Sequence, residues 1–126
     1  MAAIAGKDGK VMVGGNQVAE TTNWSLDIGT DTIDTTAHGD EWRKFIAGLK
    51  NWSATIEANW DMSDVNGQKA LQDALLGGTK VTLQLYVGSN YYSGEAYITR
   101  ISVGVPVGDK VSVTFEAQGT GQLTYT

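Results

Sequence analysis

The sequence predicts a mainly β fold, an antiparallel β-sandwich or partly rolled barrel with one α-helix packed against it. Three observations carry this. From Lys50 to Met62, Trp52, Ala54, Ile56, Ala58, Trp60 and Met62 alternate with Asn51, Ser53, Thr55, Glu57, Asn59 and Asp61. Successive side chains of a strand point to opposite faces, so this is one long strand with a dry face and a wet face. The chain has 16 Gly and 1 Pro, which suits many tight turns between strands rather than disorder. Only one segment, after Asp61, has the spacing of a well-capped helix.

The remaining elements are read in chain order. Gly9 to Val18 reads as a hairpin turning at Gly14-Gly15-Asn16, residues that tolerate the positive φ of a tight turn. Trp24 to Ile28 alternates and reads as a strand that Gly29-Thr30-Asp31 breaks. Thr32 to Thr36 is a short β-prone run, and Ala37 to Asp40 a loop. Trp42, Phe45, Ile46 and Leu49 stand at i, i+3, i+4, i+7, which fits a turn or two of helix or a folded loop, although Gly48 opposes a stable helix.

After the long strand, Ser63 or Asp64 is the expected cap of the helix. Leu71, Ala74 and Leu75, with Val65 as a further candidate, form its apolar stripe, and Gly77-Gly78 ends it. Thr79 to Val87 is a strand with Val81, Leu83, Leu85 and Val87 on one side. In the strand Tyr91 to Val103, Ala96 and Ile98 are even while Ile101 and Val103 are odd, so a bulge is predicted near Thr99-Arg100. Gly104 to Asp109 is a loop. Lys110 to Gln118 is a strand with Val111, Val113, Phe115 and Ala117 inward, and Gly119 to Gly121 breaks it before a short last strand from Gln122 to Thr126. The whole, residues 1–126, is read as a single domain. Trp52, Ile56 and Trp60 are expected in its core.

Composition narrows the function. The net charge of −5, from 14 acidic and 9 basic side chains, argues against tight binding to nucleic acid through phosphate contacts. With no Cys there is no disulfide, thiolate metal site or Cys nucleophile. No apolar run approaches the ~18 residues of a membrane span, and Met1 to Lys7 lacks the pattern of a signal peptide.

No catalytic set, metal site or cofactor site is predicted. His38 is the only His, near Asp34, Asp40 and Glu41, but the spacing matches no ligand pattern, so it is read as a loop residue. The carboxylates Glu57, Asp61, Glu95 and Glu116 are spread over three different strands, and no motif pairs a Ser or Thr with a base. A carbohydrate-binding β-sandwich with Trp42, Tyr91 and Tyr92 as stacking residues is the main alternative, and a hydrolase on a β scaffold a further one.

Ile33-Asp34-Thr35-Thr36, Gly39-Asp40-Glu41-Trp42 and Ile46 to Ser53 resemble the major tail tube proteins of long-tailed, non-contractile phages. Val105-Pro106-Val107, the run Val111 to Gly119, and Gly121 are similar to the end of that family. The resemblance spans nearly the whole chain, without the immunoglobulin-like extension that many members carry. It implies a structural protein of the virion tail, not an enzyme, assembled in the host cytoplasm. It implies self-association into hexameric rings stacked into a hollow tube. DNA would pass through without specific binding, and tape-measure and tail terminator proteins would be partners.

Two groups of residues become candidates in that light. Lys50–Met62 and Lys110–Gln118 each keep an uninterrupted polar face, so Glu57, Asn59, Asp61, Glu116 and Gln118 are expected to line the lumen. An acidic lining would repel phosphates. The segment from Asp31 to Leu49 is long, lacks a clear strand or helix, and holds Trp42, Phe45, Ile46 and Leu49 among charges. It is expected to be a docking arm between subunits, since large apolar groups on a loop point to a hidden partner surface.

Overall fold

The computed structural model describes residues 9–126; the reading of Met1 to Lys7 lies outside them. The strands are β1 (Gly9–Val13), β2 (Asn16–Gln17), β3 (Thr21–Asp34), β4 (Phe45–Asn59), β5 (Lys80–Val87), β6 (Asn90–Gly104) and β7 (Ser112–Tyr125), with α1 (Gln68–Gly77) between β4 and β5. All seven strands join one antiparallel sheet in the order β2-β1-β5-β6-β7-β4-β3. Among the described residues there is no second sheet. The long strands β6 and β7 belong to both halves: the start of β6 pairs with β5, and the start of β7 pairs with β4. The sheet rolls, bringing β1 against β3 near its opposite edges, but no ladder closes it among the described residues.

The inner face of this roll is a single core. Val11, Leu83, Leu85, Ala96, Ile98, Val113, Phe115 and Ala117 are buried, as are Trp52, Ala54, Ile56 and Ala58 on the dry face of β4. Period-two alternation places these correctly because one face of each strand is dry. Trp60 departs from expectation. It is 45 % exposed, because β4 ends at Asn59 and the chain there leaves the sheet for the helix. Its amide still donates to Val111 O at 2.9 Å.

The helix begins later than expected. Gly67, not Ser63 or Asp64, is the N-cap, and Val65 is exposed in the preceding turn. Asp64 still accepts from Gln68 N (3.2 Å) and from Ala19 N (2.8 Å), tying the helix start to the end of the first hairpin. Leu71 and Ala74 are buried, Leu75 is packed against the core, and Gly78 supplies the left-handed stop at φ 68°. Nothing in the sequence singles out Gln68, yet it is fully buried. Its Nε2 donates to Ala19 O and Asn59 O, both at 2.8 Å, and its Oε1 accepts from Asp61 N at 2.8 Å. One amide thus satisfies three backbone groups where strands and helix meet.

Four register shifts interrupt the long ladders, one of them at the very start of β3 between Thr21 and Asn23. The bulge on β6 lies between Ile98 and Arg100, where the parity of its apolar residues changes. Gly29 to Asp31 and Gly119 to Gly121 do not end their strands. Each is absorbed as a register shift inside a continuous ladder, because pairing on a neighbour outweighs the local weakness of glycine.

Candidate functional site

The segment from Asp31 to Leu49 is not helical, and its loop is confined to residues 35–44 at the tip. The end of β3 and the start of β4 form a hairpin, Thr32 opposite Ala47, Ile33 opposite Ile46 and Asp34 opposite Phe45. The helical spacing of Trp42, Phe45, Ile46 and Leu49 is accidental, since the last three lie on a strand. β4 meets β7 only from Ser53 onward, and β3 is the edge of the sheet. From Phe45 to Trp52 the hairpin therefore runs on as a two-stranded ribbon, about 25 Å long at strand spacing.

Between Thr30↔Lys50 and Thr32↔Ala47 the ladder takes up one extra residue on β4. This bulge reverses the parity of β4. Phe45 now shares the face of Trp52, while Ile46 and its partner Ile33 fall on the opposite, otherwise polar face. The ribbon is apolar on both sides. Trp42 is 83 % and Leu49 81 % exposed, and Ile28, Ile33, Phe45 and Ile46 are also exposed.

The tip is organised all the same. Thr35 N donates to Lys44 O (2.8 Å), Lys44 N to Thr36 Oγ1 (2.9 Å), and Ala37 N to Asp40 Oδ2 (2.8 Å). The hydroxyl and then the backbone N–H of Thr36 hold the Asp34 carboxyl below its ordinary pKa. Asp34 also faces Arg43 at 3.8 Å, and Asp40 faces Lys44 at 3.4 Å.

The second candidate is the polar face of the same sheet. Glu57 lies opposite Thr114, Glu116 opposite Thr55, Gln118 opposite Ser53 and Asn59 opposite Ser112, so these four residues share one face. Asp61 does not join them. It follows the end of β4, where its carboxylate accepts from Ser63 N at 3.1 Å. Sequence reasoning left out neighbours on that face: Asn23 and Asp27 of β3, and Arg100 of β6. Arg100 could have been found, because the predicted bulge itself moves it to the polar side. Its Nε stands 3.6 Å from Glu116 Oε2, and Asn23 Nδ2 donates to Glu57 Oε2 at 3.0 Å. The face is polar and mildly acidic, with Glu116 paired to Arg100 and, further along it, Glu95 paired to Lys80 at 3.2 Å.

Trp42, Tyr91 and Tyr92 do not form one platform. Tyr91 and Tyr92 point to opposite faces of β6, Tyr91 stacking on Tyr86 at 4.7 Å and Tyr92 lying 4.9 Å from Tyr125. Trp42 is far off, at the tip of the arm.

A family model described as phage tail tube protein matches residues 4–125. The chain belongs to this family. No curated protein sequence matches the tail tube chain. Its fold is similar to that in the tail of an empty gene transfer agent particle, refined with helical and C6 symmetry: 18 % identity, 98 % of this chain and 99 % of that one, TM-score 0.87. It is also similar to the SPP1 tail tube, at 18 % identity over 98 % of this chain and 79 % of that one, TM-score 0.82. The sheath-tube complex of an extracellular contractile injection system, PVC, contains a similar chain at 14 % identity, covering 98 % and 91 %, TM-score 0.75.

Proposed function

We propose that copies of this tail tube protein close into six-membered rings and that the rings stack into a hollow tube through which DNA leaves the virion. The observation that carries this is the β3–β4 arm. An isolated two-stranded ribbon is marginal in water, and this one exposes Trp42, Phe45, Ile46 and Leu49 with apolar groups on both faces. Such a ribbon gains its stability from a neighbour that covers it. The C6 and helical symmetry of the similar gene transfer agent tail supports sixfold stacking.

In this reading Glu57, Asn59, Glu116 and Gln118 face the lumen, and their polar, mildly acidic surface lets a duplex slide without adhering. The role is structural rather than catalytic. The tube would sit in the virion tail after assembly in the host cytoplasm, with tape-measure and tail terminator proteins as partners at its core and end.

The test separates folding from assembly. Trp42→Ala with Phe45→Ala should leave a folded monomer by circular dichroism that no longer forms rings or tubes by negative-stain microscopy. Normal assembly of the double variant, or unfolding of the monomer, would assign the arm to the subunit's own stability and end the docking role.

A further inference from the structure

Where β4 and β7 part company, the sheet leaves a wedge. It is a mostly apolar groove of about 610 Å³, lined by Ile28, Leu49 and Trp52 on the arm side and by Tyr92, Leu123 and Tyr125 on the other, with Lys50, Asn51, Gln122 and Thr124 as its polar part. It opens at the end of the sheet from which the arm projects.

At the far end, β6 and β7 are joined by a turn with an opposite shape. Gly104 pairs with Ser112, and the intervening chain carries Val105, Pro106 and Val107. All three are exposed, Val107 completely. Val103, half exposed, and Trp60, whose amide bonds Val111, extend the apolar surface at this end. Along β6, Tyr92 in the groove and Gly104 at the turn are about 40 Å apart at strand spacing. The subunit thus carries an apolar knob at one end and an apolar groove at the other. A knob and a groove on different parts of one surface make a head-to-tail contact, which builds rings where its rotation closes and open stacks where it does not; their placement at opposite ends of the long strands favours the stack.

We propose that the Val105–Val107 turn of one copy seats in the groove of a second copy in the next ring, joining successive rings. Pro106 fixes its own φ and so reduces the ordering cost of insertion. The charges at the two sites are also complementary. Asp109 follows the knob and Lys50 stands at the groove, and neither makes an ion pair among the described residues. This contact rests on the tube reading and names where ring meets ring.

The experiment starts from the wild-type chain assembled at high concentration and viewed by negative stain. Val107→Asp, at a fully exposed position, should keep the wild-type circular dichroism and melting temperature. It should still make rings, but need about tenfold or more protein to make tubes, as loss of a buried apolar anchor does. Tubes at the wild-type concentration overturn the proposal, and so does unfolding of the variant, which would make the turn part of the core.

A second measurement uses the absence of Cys from the chain. Val107→Cys and Gln122→Cys, the latter at an exposed groove position, are co-assembled with excess wild type and oxidised. A disulfide-linked dimer that needs both variants is expected. Tubes that contain both and yield no dimer overturn the contact. Failure of the wild type to form rings or tubes would reject the tube reading itself; tubes from wild type and Val107→Asp alike would reject only this contact.

Discussion

The indole of Trp52 lies so close against Gly119 that any Cβ there would collide with its ring. A Cβ on Gly94 would come within 2.7 Å of Cζ2 of the same indole. Two glycines on β6 and β7 thus make the bed on which β4's largest side chain rests. Gly119→Ala is expected to lower stability by about 1–3 kcal/mol through overpacking, and Trp52→Ala by about 3–5 kcal/mol through the cavity it leaves. The double variant should cost clearly less than the two single effects together, because without the indole the added methyl has room. Urea midpoints of the four proteins check this; simple additivity would mean that the two residues do not share the site.

Trp60→Ala should behave differently. Nearly half of its surface already meets water, so the lost burial is worth about 2 kcal/mol. A fall in melting temperature clearly smaller than that of Trp52→Ala is expected, whereas an equal loss would place Trp60 in the core.

Gln68→Leu keeps the size of the side chain but removes its polar atoms. Ala19 O, Asn59 O and Asp61 N would all lose their partner. Each buried group left unsatisfied costs about 1–3 kcal/mol, and relaxation lets some reach water, so a total of roughly 3 kcal/mol is expected. Hydrogen exchange of the Asp61 amide should speed up more than that of amides in the core strands. Unchanged exchange there would show that the bond from Asp61 N is not what holds this junction.

The polar face is tested by reversing its charge. Glu57→Lys with Glu116→Lys leaves the core untouched, so the monomer should fold and tubes should form. Glu116→Lys also places a second cation beside Arg100. The reversed lining should retain duplex DNA in a salt-sensitive manner and slow its passage. A tube map with both side chains on the outer wall would remove this face from the lumen.

Most strands, their dry faces and the bulge at Thr99-Arg100 were legible in the residues alone. Alternation is a local property: whichever sheet β4 joins, Ala54, Ile56 and Ala58 must share a side. The residues also carried the family, because the segments around Asp34, Trp42 and Phe115 resemble tail tube proteins over nearly the whole chain.

What each strand lies against became visible only once the sheet was assembled. Trp60 continues the alternation of β4 but lies beyond its last ladder pair, and no pattern in the residues marks that end. The extra residue near Leu49 turns Ile46 to the opposite face, a consequence of pairing with Asp31 and its neighbours that composition does not encode. Gln68 reads as an ordinary helix residue until the backbone groups of Ala19, Asn59 and Asp61 converge on it. The groove exists because β7 leaves β4 after Gln118, and the spacing between two strands is a property of the sheet, not of either strand.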